Sequence, residues 1–128
     1  MFRGLHEHTI DAKGRMSLPV RFREQLAPIS SGEAEEVNFI LTTGIDRCLV
    51  LYPVQQWKEL EEKLAGLSQF DPAVVTVRRI YLAGATEVTL DKNGRLLIPP
   101  MLREYAGLCR DVVWAGMGNT VELWGKEQ

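Results

Sequence analysis

Residues 9–24, TIDAKGRMSLPVRFRE, and residues 89–104, TLDKNGRLLIPPMLRE, align without a gap. Seven of the sixteen positions are identical, and four further positions pair apolar residues of similar size. A match of this length within one chain indicates an internal duplication, which is the strongest signal for the fold. We therefore predict that the chain contains two copies of one small structural unit.

A weaker match follows each copy, where residues 40–52 correspond to residues 112–124. The apolar pairs and the glycines Gly44 and Gly116 agree, but the spacing from the first match is eight residues shorter in the second copy. The first copy contains the extra polar segment SSGEAEE at residues 30–36. A segment of this composition is typical of a surface loop.

Each copy predicts the same series of elements. Alternating residues 7–10 indicate a strand, and the DAKG and DKNG segments indicate turns in which glycine adopts a positive φ. Pro19 and Pro99 each end a strand and suit the first turn of a short helix. The remaining predicted strands are residues 15–18, 37–42, 48–52, 95–98, 111–115 and 120–124, and the short helices are residues 20–26 and 100–105.

The size of one copy sets the expected architecture. A unit of roughly 40 to 50 residues buries too little apolar surface to be stable alone. We therefore predict an α+β, mainly β, pseudo-two-fold domain in which strands of both copies form one barrel or sandwich. The predicted boundaries are residues 1–52 for the first repeat, 53–84 for linking helices and 85–128 for the second repeat, all within one compact unit.

Two amphipathic helices are predicted between the copies. The first spans residues 53–64, and Asp71 with Pro72 is typical of the start of a second helix that runs to Gly84. Packing on the sheet or on a neighbouring subunit is the simpler interpretation of their apolar stripes, and a groove for a partner protein is the alternative. The apolar positions of the first helix are Val54, Trp57, Leu60 and Leu64.

The distribution of charge is more informative than its total. The net charge of −2 argues against a nucleic-acid partner, but residues 1–24 contain five basic and three acidic residues. Residues 30–71 instead contain eight acidic and three basic residues. This asymmetry predicts a basic face on an acidic body, and the local field governs binding more than the total charge does.

Several classes of protein and site are disfavoured. The chain has no apolar run long enough for a membrane span and no secretory signal, so we expect a cytoplasmic protein. Cys48 and Cys109 form no CxxC pair, and we expect both to be buried and reduced.

Sequence motifs for catalysis or metal binding are also missing. His6 and His8 share a strand face, but with no further ligand nearby they are more simply surface histidines than a metal site. No phosphate loop or nucleophile motif occurs. We predict no enzyme activity, no metal, no cofactor and no small-molecule substrate.

The set of motifs resembles a known family. The opening MFRG, the doubled Asp-x-x-Gly-Arg turns, FDP at residues 70–72, RR at residues 78–79 and GA at residues 84–85 are similar to those of the MraZ family. The resemblance spans Met1 to Trp124 and implies two fused SpoVT–AbrB-type halves in an AbrB-like swapped-hairpin β-barrel. It also implies a homo-oligomeric ring that regulates transcription of the division and cell-wall gene cluster by binding G-containing direct repeats in its promoter.

The turns supply the predicted contacts to double-stranded DNA. Arginine matches guanine O6 and N7 with paired hydrogen bonds, so Arg15 and Arg95 are the expected base contacts. An aspartate four positions earlier can hold each guanidinium in place before DNA binds. The residues expected to support the turns are Asp11, Asp91, Gly14 and Gly94, and those expected to contact phosphates are Lys13, Lys92, Arg3 and Arg21.

Two alternatives remain open on the sequence alone. Each turn could be purely structural, with an exposed Asp–Arg pair that contributes about 0–1 kcal/mol to stability. The chain could also be an antitoxin-like interaction module of the AbrB fold, without an operator of its own. That module would bind another protein through Trp57 and the acidic helix.

Overall fold

The computed structural model of the chain describes residues 1–26 and 38–126. The predicted loop at residues 30–36 and the first residue of the strand predicted over residues 37–42 lie outside the described residues. The described residues form eight β-strands, four α-helices and a short 3-10 helix, Ile45–Arg47. In chain order they are β1 Leu5–Thr9, β2 Arg15–Ser17, α1 Val20–Leu26, β3 Asn38–Thr43, β4 Leu49–Pro53, α2 Val54–Ala65, α3 Pro72–Tyr81, β5 Thr86–Thr89, β6 Arg95–Leu97, α4 Pro100–Ala106, β7 Asp111–Gly116 and β8 Val121–Gly125.

Six of the strands form one antiparallel sheet in the order β1-β7-β8-β4-β3-β5. The other two, β2 and β6, form a separate antiparallel pair, which we call the ribbon. The predicted α+β class with mainly β content is confirmed. Closure of the strands into a swapped-hairpin barrel stays a prediction.

Strand pairing exchanges elements between the two copies. The first strand of the first copy, β1, pairs with β7 of the second copy, and β5 of the second copy pairs with β3 of the first. Equivalent strands also pair with each other, β4 with β8 in the middle of the sheet and β2 with β6 in the ribbon. Each copy therefore supplies an edge strand that the other copy's hairpin needs, which agrees with the small size of one copy.

The core is built from both copies. Its largest fully buried side chain is Trp114, whose indole Nε1 donates a hydrogen bond to the Ser17 carbonyl at 3.1 Å. This bond joins β7 to the ribbon. The cluster comprises Phe2, Ile10, Met16, Leu18, Phe22, Phe39, Leu41, Leu49, Leu51, Val88, Leu96, Ile98, Leu102, Ala106, Leu108, Val112, Trp114, Val121 and Leu123.

Helix α2 packs on the sheet through its apolar face. Trp57 and Leu64 are buried, and the Trp57 ring meets the Tyr52 ring edge to face at 5.2 Å between centroids. The alternative role of Trp57 as a contact for a partner protein is therefore wrong, because its side chain is only 7% exposed. None of the helices within residues 1–26 and 38–126 is long and apolar enough to span a membrane.

Helix α3 begins as predicted but ends early. The Asp71 carboxylate accepts a hydrogen bond from the Ala73 backbone N–H at 2.9 Å, and Pro72 occupies the first turn. The helix ends at Tyr81 rather than near Gly84. Hydroxyl groups from strand β3, those of Thr42 and Thr43, donate to its last carbonyls, which have no N–H partner within the helix.

The two cysteines differ in environment. Cys48 is fully buried, as expected, and desolvation raises the pKa of its thiol to about 11. Cys109 is exposed, so the expectation that it is buried is wrong. It lies in the connection between α4 and β7, where its neighbour Leu108 fills the core position instead.

Neighbouring leucines of the ribbon provide a test of this packing. Leu96 is fully buried and Leu97 is 57% exposed, because successive strand residues point to opposite faces. We expect Leu96→Ala to lower the free energy of unfolding by about 2–5 kcal/mol. Leu97→Ala is the matched control and should change it by less than about 0.5 kcal/mol in urea titrations. Equal effects of the two substitutions would contradict the assigned faces.

Candidate nucleic-acid interface

The two Asp-x-x-Gly-Arg turns have the same hydrogen bonds. In the first, Asp11 Oδ1 accepts from the backbone N–H groups of Lys13 and Arg15, both at 2.9 Å. In the second, Asp91 Oδ1 accepts from the backbone N–H groups of Asn93 at 2.8 Å and of Arg95 at 2.9 Å. One carboxylate oxygen thus orders the backbone of each turn, which is why aspartate is suited to this position.

The second oxygen of each carboxylate holds the arginine. Asp11 Oδ2 accepts from Arg15 Nε at 3.1 Å, and Asp91 Oδ2 accepts from Arg95 Nε at the same distance. Each arginine is bonded through Nε only, so its terminal Nη atoms make no hydrogen bond to any described residue. Those N–H groups stay available for a bidentate contact to another molecule.

The electrostatics of the turns favour charged aspartates. Bonds from the backbone N–H of Arg15, and secondarily from that of Lys13 and the Arg15 side chain, hold the pKa of Asp11 below its ordinary value. The equivalent bonds from Arg95 lower the pKa of Asp91 in the same way. Both arginines therefore lie next to a permanently ionised carboxylate at neutral pH.

The ribbon places both arginines on one outward face. Its register pairs Arg15 with Leu97, Met16 with Leu96 and Ser17 with Arg95. Directly opposed residues share a face, so the pair that contains the buried Met16 points inward and the other two pairs point outward. Arg15 and Arg95 are thus diagonal neighbours, with Cα atoms about 8 Å apart from the strand rise and strand spacing. Their side chains are 37% and 32% exposed.

Each turn is fixed by the copy to which it does not belong. The Leu18 N–H donates to the Gly94 carbonyl at 3.1 Å, and the Ile98 N–H donates to the Gly14 carbonyl at 2.8 Å. These are equivalent bonds in opposite directions between the two copies. The relative position of the two turns is therefore set by backbone hydrogen bonds, and not by flexible side chains alone.

Two further arginines, whose role the sequence did not reveal, cover the glycines of the turns. Gly14 and Gly94 have φ values of +88° and +73°, in the region that favours glycine. A Cβ at Gly14 would lie 2.8 Å from Arg103 Cζ, and a Cβ at Gly94 would lie 2.7 Å from Arg23 Cζ. Each arginine covers the turn of the opposite copy. The feature of the sequence that could have indicated this role is that Arg23 and Arg103 occupy the same position in the repeat.

Comparison with known proteins identifies the family. The family model described as "MraZ protein, putative antitoxin-like" matches residues 1–80 and 81–128. The chain belongs to the MraZ family. It is 47% identical over 128 residues to the transcriptional regulator MraZ of Coxiella burnetii (strain RSA 493 / Nine Mile phase I), covering 100% of this chain and 82% of that protein.

Two other relatives carry the same name. The transcriptional regulator MraZ of Desulfitobacterium hafniense (strain Y51) is 48% identical over 126 residues, covering 98% of this chain and 82% of its own length. That of Acetivibrio thermocellus is 47% identical over 128 residues, covering 100% of this chain and 83% of its own length. The similarity to these MraZ proteins therefore spans both copies and the linking helices.

The other basic residues expected at the interface of this MraZ-family chain are not all close together. Lys13 and Lys92 are exposed within the turns, and Arg21 is exposed on α1, which follows the ribbon strand β2. Arg3 instead precedes β1, while Asp11 follows it, and β1 alone is about 14 Å long. Arg3 is therefore at the far end of that strand from the first turn.

His6 and His8 are packing residues in this structure. Both are half-buried on the inner side of β1, and the His6 ring meets the Phe22 ring edge to face at 4.9 Å. Burial is the main cause that lowers the pKa of His8, and the charges of the nearby His6 and Arg23 lower it further. The interpretation as surface histidines is therefore wrong for His6, whose ring packs on Phe22, whereas His8 is partly exposed. Among the described residues, no group of three or more His, Cys, Asp and Glu side chains could hold a metal ion.

A substitution at a turn glycine tests the constraint on its backbone. Gly94→Ala should lower the free energy of unfolding by about 1–2 kcal/mol, because alanine resists a positive φ and its Cβ would displace Arg23. Gly66→Ala is the control, since Gly66 has φ −83° and no atom closer than 3.7 Å to a new Cβ. Thermal and urea unfolding should show little change for the control. A neutral Gly94→Ala would contradict the geometry of the turn.

Proposed function

We propose that this chain is a sequence-specific DNA-binding regulator of transcription. Its relatives are named transcriptional regulator MraZ, which supports the regulatory part of the proposal. The DNA-binding part rests on one observation, which is that Arg15 and Arg95 share one outward face with their Nη atoms unbonded to the described residues. We expect no catalytic activity.

The dimensions of the ribbon suit the major groove. This groove is about 12 Å wide and admits a two-stranded β-ribbon. The separation of about 8 Å between Arg15 and Arg95 corresponds to two or three base-pair steps at about 3.4 Å each. We propose that each guanidinium contacts O6 and N7 of a guanine, while Asp11 and Asp91 keep it oriented and so reduce the ordering cost of binding.

Phosphate contacts would come from the residues around the ribbon. Lys13 and Lys92 lie within the turns, and Arg21 lies on the adjacent helix. These positions fit contacts that fix the register of the protein on DNA without selecting a sequence. Arg3 lies beyond the far end of β1 from the first turn, so any phosphate that it contacts is more distant from Arg15 than those contacted by the turn lysines.

The proposal also covers the oligomeric assembly of the protein and the DNA site to which it binds. We infer that two SpoVT–AbrB-type repeats, residues 1–52 and 85–128, act as one unit with linking helices 53–84 in a swapped-hairpin barrel. A homo-oligomeric ring of such units would bind G-containing direct repeats in the promoter of the division and cell-wall gene cluster, at the nucleoid. Several identical ribbons on one fragment would raise the effective concentration of each, which compensates for the net charge of −2.

A second function has one observation in its favour. The description of the matching family includes the words "antitoxin-like", which fits a module that binds another protein. Phe70, at 87% exposure in the turn between α2 and α3, is an available apolar contact for such a partner. Isolation of a stoichiometric protein partner, together with no shift of promoter DNA, would favour this function.

Arginine substitutions test the proposed base contacts. We expect Arg15→Ala and Arg95→Ala each to weaken binding to a promoter fragment more than tenfold, because each removes a paired contact to guanine. Arg79→Ala, which removes an exposed arginine on α3, should leave binding nearly unchanged. Fluorescence anisotropy with a labelled fragment measures all three. Wild-type affinity in both turn variants would refute the proposed interface.

The salt dependence of binding tests the phosphate contacts. If several lysines and arginines per assembly neutralise phosphates, the logarithm of the affinity should fall steeply and linearly with the logarithm of salt concentration. Lys13→Ala should make this slope shallower, because one phosphate contact per subunit is lost. An affinity that stays constant between low and moderate salt would contradict the electrostatic part of the proposal.

A further inference from the structure

The outer face of the ribbon is not symmetric. Ser17 of the first copy and Leu97 of the second copy occupy equivalent positions, two residues after their respective arginines. The register therefore places Leu97 directly opposite Arg15, and Ser17 directly opposite Arg95. One guanidinium thus has an apolar neighbour across the ribbon, and the other has a hydroxyl neighbour.

Leu97 is unusual among the apolar residues of its strand segment. Leu96 and Ile98, on either side of it, are fully buried, whereas Leu97 is 57% exposed. An exposed leucine by itself needs no explanation. Leu97, however, is directly opposite Arg15 on the neighbouring strand, and the Cβ atoms of residues so paired are about 5 Å apart. A base edge that binds the Arg15 guanidinium is therefore within reach of the Leu97 side chain.

Major-groove base edges offer one apolar group to such a side chain. The edges present hydrogen-bond donors and acceptors, apart from the C5-methyl of thymine. We propose that Leu97 is a specificity-determining residue that contacts the methyl group of a thymine within about two base pairs of the guanine held by Arg15. This inference depends on the DNA-binding function proposed above.

The asymmetry has a consequence for the orientation of the protein on DNA. Two equivalent turns with identical neighbours would present the same chemistry in either direction and would favour a palindromic site. With Leu97 beside Arg15 and Ser17 beside Arg95, reversing the protein would exchange an apolar contact for a polar one. One direction of binding is then favoured, which suits repeats that all point the same way.

Removal of the thymine methyl groups tests this contact. The probe is one promoter fragment prepared with thymine or with uracil at every thymine position, since uracil differs only by the missing C5-methyl. Wild-type protein should bind the uracil fragment at least threefold more weakly, the loss expected for one buried methyl group. Leu97→Ser, which installs the residue of the first copy, should bind the two fragments equally. Leu97→Ala should do the same.

A control variant separates this contact from a general effect of uracil on DNA. Leu67→Ser alters another exposed leucine, in the turn after α2, and should retain the threefold preference for thymine. Equal binding of both fragments by wild-type protein would overturn the inference, as would an unchanged preference in Leu97→Ser. Failure of the DNA-binding proposal itself would appear differently, as full affinity in Arg15→Ala and Arg95→Ala.

Discussion

The reciprocal bonding of the two turns is the constraint on which the rest of the structure depends. The Gly94 carbonyl accepts from the N–H after β2, and the Gly14 carbonyl accepts from the N–H after β6. Arg23 and Arg103 likewise each cover the turn glycine of the opposite copy. Each turn is therefore held in place by the other copy, so the pairing of the copies fixes the site as well as the core.

This constraint explains how exposed arginines can be held in a defined geometry. Each carboxylate uses one oxygen for the backbone of its turn and the other for the arginine, so backbone and guanidinium are ordered by one group. Exposed ion pairs contribute little to stability, but here the pair also sets side-chain direction before any ligand binds. The pairing of the two small copies therefore supports both the shared core and the geometry of the proposed interface.

The repeat in the sequence predicted most local structure and little of the contact between copies. Both turns, the proline-initiated helices and the class of fold followed from glycine, proline and apolar periodicity, which act within a few residues. The contacts of Arg23 and Arg103 with the opposite turns could not be predicted, because they join positions about 70 to 90 residues apart. The burial of His6 against Phe22 and the exposure of Cys109 were not predicted either, because both depend on how the elements pack together.

A structure of the protein bound to its promoter DNA tests the central claim most directly, because it locates the ribbon relative to the bases. The two-stranded ribbon should lie in the major groove, with the guanidinium groups of Arg15 and Arg95 on guanines two or three base pairs apart and their carboxylate partners still bonded. A complex in which both guanidinium groups point away from the nucleic acid, or lie against another protein chain, would contradict it.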